Sequence, residues 1–211
     1  MNKIAFVGFG ELGEQLWEFI QHSYLPAVRI VFDDTLHGQG LVNAYPFEEY
    51  EQDRFKDYHF FIGLGYRRLA LKAQVLQRLK ELGRSLPRYV HPTCHVAHTA
   101  QIGAATYLYP MCNIDRKVQL GEGVLLNNSV VVSHSSLISD NCFLAPSVTV
   151  CGYVQVGNGV FIGAGSTVSN GVSIGAGSVI GLGSVVTKNL PNGTQAVGNP
   201  LRVVHKPIQL K

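Results

Sequence analysis

Hydrophobic residues recur with a period of six through the second half of the chain. Every sixth residue is aliphatic over a run without insertion: Val96, Ile102, Leu108, Ile114, Leu120, Leu126, Val132, Ile138, Leu144, Val150, Val156, Ile162, Val168, Ile174, Ile180 and Val186. The residue two positions before each of them carries no charge. A period of six fits neither a helix nor a long strand. It predicts a β-helix in which each repeat forms one short strand and one bend, and three repeats complete one triangular coil.

Because the coils stack, residues that are one coil apart in sequence can be grouped into columns that run along the prism. Neighbouring strands lie about 4.8 Å apart, so positions separated by one coil become neighbours on one side of the prism. Within each strand the aliphatic residue and the residue two before it point inward, and the residues between and after them point outward. Segments such as Ile162-Gly-Ala-Gly carry a small residue where the chain must bend tightly.

The first ninety residues have a different pattern. Apolar runs over residues 3–7, 28–32 and 59–64 predict buried strands, and the stretches after the first and third predict helices, the later one from Arg67 to about Leu82. Strands alternating with helices indicate a small α/β domain. Two prolines near residues 87–92 mark a boundary, which gives domains over residues 1–90 and 91–211.

A glycine-rich turn follows the first predicted strand. Gly8, Gly10 and Gly13 have the G-x-G-x-x-G spacing that lets a phosphate approach a helix N-terminus. Asp34 follows this turn at the end of the next predicted strand, a spacing suited to a ribose or base contact. The domain has about half the strands of a full dinucleotide-binding fold, so a mononucleotide fits better than NAD.

A glycine-turn α/β domain followed directly by hexapeptide repeats resembles the bacterial sugar acyltransferases, which include sialic acid O-acetyltransferases and nucleotide-amino-sugar N-acetyltransferases. The resemblance covers essentially the whole chain. It implies a Rossmann-like N-terminal domain that binds the nucleotide of the sugar, followed by a left-handed parallel β-helix. The relatives usually have Ser-Gly-His at the centre of the glycine turn, whereas this chain has Phe9-Gly10-Glu11.

The same resemblance implies the substrate-binding residues of the first domain. They are phosphate contacts at Gly8, Gly10 and Gly13, ribose or base contacts at Asp33 and Asp34, and pocket-lining residues at Gly65 and Tyr66. For the aspartates, a solvated strand end is the alternative explanation.

His134 is the candidate catalytic histidine. It follows Val132 on an outward bend, and a step of one coil places Gly152 directly above it. Acyl transfer from a thioester needs a base and a donor for the oxyanion, and an imidazole with a glycine amide above it could supply both. The resemblance likewise implies His134 as base and Gly152 as oxyanion contact. Relatives commonly have an acid directly after the histidine, where this chain has Ser135.

Asn127 also matches a family position. It could contact the histidine or the acceptor, or it could be a structural asparagine at a bend. The resemblance implies acetyl-CoA as the donor, with contacts at Gly152, Ala164 and Leu182 and a phosphate contact at Arg202.

One outward column is apolar over five coils: Tyr107, Leu125, Phe143, Phe161 and Val179. Large exposed apolar patches are uncommon in monomers. Since prisms of this family associate as trimers, we expect a homotrimer through this face.

Composition and charge argue against several classes of protein and ligand. The 211 residues carry a formal net charge of +3 with no Lys/Arg run, which argues against a nucleic-acid partner. The apolar N-terminal run breaks at residues 8–11, too early for a signal peptide or membrane span, so we expect a cytoplasmic protein. Four cysteines without CxxC spacing and histidines poorly spaced for zinc predict no metal.

These observations and the resemblance favour an acetyl-CoA-dependent N-acetyltransferase. Its acceptor would be the amino group of a nucleotide-linked amino sugar used for cell-surface glycans such as lipopolysaccharide O-antigen. O-acetylation of sialic acid or another sugar is the alternative, because the sequence does not separate amine from hydroxyl acceptors. A non-catalytic NAD- or nucleotide-sensing scaffold, suggested by the glycine turn alone, is the alternative from another class.

Overall fold

The structure is a computed structural model that describes residues 2–24, 27–204 and 208. The chain divides into two compact units, Met1–Pro87 and Arg88–Lys211. The strand Tyr89–Val90 pairs with Tyr107–Leu108 and so belongs to the second unit.

The first unit is a parallel four-stranded sheet with helices. Its elements are β1 (Asn2–Val7), α1 (Glu11–Tyr24), β2 (Ala27–Phe32), α2 (Asp34–Gly38), β3 (Ala44–Tyr45), β4 (His59–Ile62) and α3 (Leu69–Glu81), with short 3-10 turns at Phe47–Glu51, Asp53–Phe55 and Tyr66–Arg68. The strand order is β3-β2-β1-β4. β1 is central, and its residues 4–7 are fully buried, as expected for a parallel strand covered on both faces.

All these strands run in the same direction, so their carboxyl ends meet at one edge of the sheet. Gly8 follows β1, Asp33 follows β2 and Gly63 follows β4 at this edge. Ligands of open α/β sheets bind at the carboxyl ends of the strands. The edge therefore brings the predicted substrate-binding loops of this domain together.

The second unit is a parallel β-helix with three faces. The first face holds Tyr89–Val90, Tyr107–Leu108, Leu125–Leu126, Phe143–Leu144, Phe161–Ile162, Val179–Ile180, Gln195–Val197 and Arg202–Val203. The second face holds His95–Val96, Asn113–Ile114, Val131–Val132, Thr149–Val150, Thr167–Val168 and Val185–Val186. The third face holds Gln101–Ile102, Gln119–Leu120, Leu137–Ile138, Gln155–Val156 and Ser173–Ile174.

Successive coils stack in the predicted register. Leu126 pairs with Leu108 on one side and Leu144 on the other, each one full coil away. The aliphatic residues of all three faces and the apolar residues two before them form one continuous interior core, and buried threonine and serine side chains occupy the remaining positions. Among the strands that the structure describes, Arg202–Val203 alone runs antiparallel to its neighbour.

The apolar column of the first face is not an exposed surface. Tyr107, Leu125, Phe143 and Phe161 are each at most 7% exposed within the single chain, and only Val179 is partly accessible. The Phe143 and Phe161 rings stack on each other at 5.8 Å. The exposed apolar surface expected here is thus largely buried within the single chain, and a subunit contact through this column stays a prediction.

Among the described residues, no helix is both long and apolar enough to cross a membrane.

Candidate active site

The His134 imidazole lies directly against Gly152. The two residues are on adjacent coils, and the Tyr153 N–H donates a hydrogen bond to the His134 carbonyl at 3.1 Å. A methyl group added to Gly152 would lie 2.7 Å from Cε1 of His134 and 2.9 Å from Nε2. Only glycine leaves room for the ring at this position. The structure thus brings together the two residues that the sequence column paired.

The imidazole is partly enclosed. Its Nδ1 atom is buried and has no hydrogen-bond partner among the described residues. The ring of Tyr153 meets the imidazole edge-on at 5.0 Å. Tyr153 is exposed and has φ 59°, the left-handed conformation that recurs at the equivalent bend position of other repeats, such as Lys117 and Ser135.

An acidic side chain reaches His134 from the coil below. The Asp115 carboxyl has a pKa below its ordinary value, mainly because it accepts the Arg116 backbone N–H at 2.6 Å. The backbone N–H and the charge of His134 lower this pKa further. Asp115 was not predicted from the sequence, because it lies in the column of Ser133, next to the column that holds His134.

The Gly152 amide is not free. Its N–H donates a hydrogen bond to Oδ1 of Asn170, one coil further on, at 2.8 Å. The same bond recurs at another corner of the prism, where Asp140 N–H donates to Oδ1 of Asn158. The amide expected to face the acyl oxygen therefore has a hydrogen-bond partner in this structure, and its role as oxyanion contact stays a prediction. The sequence signal was the asparagine that follows Gly152 by one coil in the same column.

Asn127 makes its side-chain hydrogen bond within its own bend, where Oδ1 accepts the Asn128 N–H at 2.7 Å. This bond is the one expected of a structural asparagine at a bend. Its carbonyl accepts a contact from the Cys112 thiol at 3.2 Å. These contacts match the structural alternative, and a catalytic contact of Asn127 stays a prediction.

The residues proposed to contact acetyl-CoA lie at different places on the β-helix. Ala164 and Leu182 are exposed neighbours in one corner column, linked by the Gly183 N–H bond to the Ala164 carbonyl at 2.8 Å. Arg202 is exposed on the strand that pairs with Gln195–Val197 in the first-face sheet. Gly152 occupies a different corner, which follows the second face.

The glycine turn of the first unit serves packing at two of its three positions. A methyl group on Gly63 would lie 2.2 Å from the Gly8 carbonyl oxygen, and one on Gly13 would lie 3.0 Å from the same atom. Gly8 itself has φ 77°. A methyl group on Gly10 meets nothing within 4 Å, so its backbone is open to a ligand. Gly63 was not singled out from the sequence, because it lies outside the G-x-G-x-x-G motif.

Asp33 is a structural residue of this edge. Its carboxylate accepts the Phe9 N–H at 3.1 Å and the N–H groups of Thr35 and Leu36 at the start of α2. It therefore joins the glycine turn to the next loop. Asp34 accepts the Phe47 N–H at 2.8 Å but is exposed, so it remains accessible.

Gly65 and Tyr66 lie half-buried after β4, where Gly65 precedes the turn Tyr66–Arg68. Phe9, which stands where relatives have serine, is buried, and the Arg29 guanidinium lies 4.7 Å above its ring.

Within the described part of the chain, no group of three or more His, Cys, Asp or Glu side chains could hold a metal ion. The four cysteines are free thiols.

The repeats match a known family model. Residues 153–188 match the bacterial transferase hexapeptide (six repeats). The acetyltransferase domain of PglB from Neisseria gonorrhoeae is similar over 97% of this chain and 100% of its own, with 23% identity and a TM-score of 0.87. The chain therefore shares the fold of this acetyltransferase domain.

Two further structures share this fold. PerB from Caulobacter crescentus, in complex with CoA and GDP-perosamine, matches with 24% identity and a TM-score of 0.85, covering 97% of each chain. WeeI from Acinetobacter baumannii matches with 19% identity and a TM-score of 0.75 over 96% of this chain and 100% of its own. A search of curated sequences gives no match. The expected fold class, an α/β domain followed by a left-handed parallel β-helix, is confirmed.

Proposed function

We propose that this protein transfers the acetyl group of acetyl-CoA to the amino group of a nucleotide-linked amino sugar, for cell-surface glycans such as lipopolysaccharide O-antigen. The observation that carries the proposal is the His134 imidazole packed against Gly152 at a corner of the β-helix. Two proteins of the same fold support the choice of substrates. PglB was solved with acetyl coenzyme A, and PerB with CoA and GDP-perosamine.

In the proposed reaction His134 is the general base. Because Nδ1 is enclosed, we assign the proton transfer to Nε2. Nε2 takes the proton of the acceptor amine as its nitrogen attacks the thioester carbonyl. The tetrahedral intermediate carries a negative oxygen that needs a hydrogen-bond donor. Its collapse breaks the carbon–sulfur bond, and the thiolate of CoA takes up the proton from the imidazolium.

The remaining contacts complete the proposal. Acetyl-CoA would lie along the prism with contacts at Ala164 and Leu182, and Arg202 would meet a phosphate. In the first unit, the open backbone of Gly10 would face phosphate, and exposed Asp34 would face ribose or base. Gly65 and Tyr66 would line the same pocket. Gly8, Gly13 and Asp33 would shape the turn that presents these groups.

We also propose a homotrimer in the cytoplasm. The support for the trimer is the resemblance alone, since the apolar column of the first face is buried within the chain.

The test is a thiol-release assay with acetyl-CoA and a panel of UDP-, GDP- and dTDP-linked amino sugars. His134→Ala should abolish release, whereas His98→Ala should leave it intact, because His98 is an exposed histidine in the same column two coils below. Sialic acid and hydroxyl analogues of the sugars form a second arm. Release with hydroxyl acceptors only would replace N-acetylation by O-acetylation. Thermal stabilisation by NAD without any thiol release would favour the scaffold.

A further inference from the structure

The backbone amides around Gly152 are all engaged. Gly152 N–H donates to Asn170 Oδ1, Tyr153 N–H to the His134 carbonyl, and Cys151 N–H to the Val168 carbonyl. The Gly171 N–H of the next coil donates to the Gly152 carbonyl at 3.0 Å. Gly152 is also buried. An acyl oxygen arriving beside His134 therefore meets no free amide in this turn.

The Asn170 side chain can supply a hydrogen-bond donor beside the Gly152 turn, where the backbone amides are engaged. A backbone N–H can only donate, so the Asn170 atom that faces Gly152 must be the oxygen of its carboxamide. This bond fixes which end of the side chain is Nδ2, a group with two N–H donors. Asn170 is exposed, so a ligand can reach it. His134 and Asn170 thus flank the same glycine from the coils on either side of it.

Resting on the proposed acetyl transfer, we propose that the Nδ2 group of Asn170 is the oxyanion donor, and that the Gly152 amide holds this side chain in place. When the amine nitrogen bonds to the thioester carbon, the carbonyl oxygen becomes negative and accepts a hydrogen bond from Nδ2. No proton is transferred to it. When the carbon–sulfur bond breaks, the carbonyl re-forms and the hydrogen bond weakens. A side-chain amide is an effective donor for such an oxyanion.

Two substitutions separate the side-chain donor from the backbone donor. Asn170→Ala removes Nδ2 and at the same time frees the Gly152 N–H. Asn170→Asp keeps an oxygen for the Gly152 N–H but replaces the donor by a carboxylate. If Asn170 is the donor, kcat should fall by about 100-fold or more in both variants, since loss of one oxyanion donor costs that much. The KM for the acceptor should change little.

Asn158→Ala is the matched control. It removes the same kind of corner hydrogen bond, from Asp140 N–H, at a corner away from His134. We expect a loss of Tm similar to that of Asn170→Ala but an unchanged kcat.

The outcomes are distinct. If the wild type releases thiol and Asn170→Ala releases it as fast or faster, the Gly152 amide is the donor and the inference about Asn170 fails alone. If the wild type releases no thiol with any acceptor, the proposed function fails, and the inference falls with it. Equal losses of kcat in Asn170→Ala and Asn158→Ala would also overturn the inference, because they would point to a general weakening of the prism.

Discussion

Gly152 is the position where one added methyl group tests the candidate active site. In Gly152→Ala the new methyl would lie 2.7 Å from Cε1 of His134, so the imidazole must move. A displacement of about 1 Å in a catalytic group can cost about 100-fold in rate. We expect a loss of kcat of this order in the thiol-release assay, with the far-UV circular dichroism of the wild type. Full activity would show that the ring position beside Gly152 has no part in the reaction.

The lowered pKa of Asp115 predicts how the stability of the protein depends on pH. Its pKa in the folded protein lies below the ordinary 3.8, first because of the Arg116 N–H and then because of His134. A lowered carboxyl pKa stabilises the fold at pH above the unfolded value, and this contribution is lost as the pH falls through the folded value. Asp115→Asn should therefore lower Tm near neutral pH, and the difference should shrink as the pH drops below 3.8. A constant difference in Tm across this range would contradict the assignment.

Contacts between residues were predicted correctly where they depend only on a separation of one coil along the chain. It paired His134 with Gly152, which the structure places in contact. It missed Asp115 and Asn170 because hydrogen bonds between coils depend on the direction of the amides and on side-chain rotamers. Neither is encoded in a column of residue types.

At the scale of elements, the first face of the prism now predicts a stability effect. Phe161→Ala should lower the free energy of unfolding by about 3 kcal/mol or more, because it empties a buried aromatic site. Leu137→Ala changes the matched strand position on the third face, which is exposed, and should cost no more than about 0.5 kcal/mol. Urea denaturation measures both. If Phe161→Ala instead reduced the sedimenting mass without loss of stability, the column would be a subunit interface after all.

The glycine turn gives a second element-level prediction. Gly63→Ala would place a methyl group 2.2 Å from the Gly8 carbonyl, where β1 and β4 end side by side. Overpacking of this kind costs about 1–3 kcal/mol, which thermal unfolding would detect. Gly10→Ala is the control, because its methyl would meet nothing within 4 Å. A Tm of Gly63→Ala equal to the wild type would mean that the two loops are not packed as described.

For the whole molecule, the β-helix was far more predictable than the α/β domain. The six-residue period marks the buried position in every repeat, so the strands of the β-helix and their register followed from the sequence. In the first unit, β3 was not predicted, because Ala44–Tyr45 is a two-residue strand without a repeated pattern. The burial of the apolar column also escaped prediction, since periodicity gives the direction of a side chain but not what covers it.

The proposed trimer belongs to this scale as well. Sedimentation equilibrium should give three times the 23.0 kDa of one chain, independent of loading concentration. A mass of one chain would remove the trimer from the proposal.

The stacking of coils also restricts how this protein can change in length. Adding or deleting one residue within a coil would exchange interior and exterior side chains from that point onward. Insertions are therefore tolerated only at the bends or as whole coils. His134 and Asn170 stand two complete coils apart. Related sequences in which these two residues act together should therefore keep them two coils apart and place any extra residues in the bends.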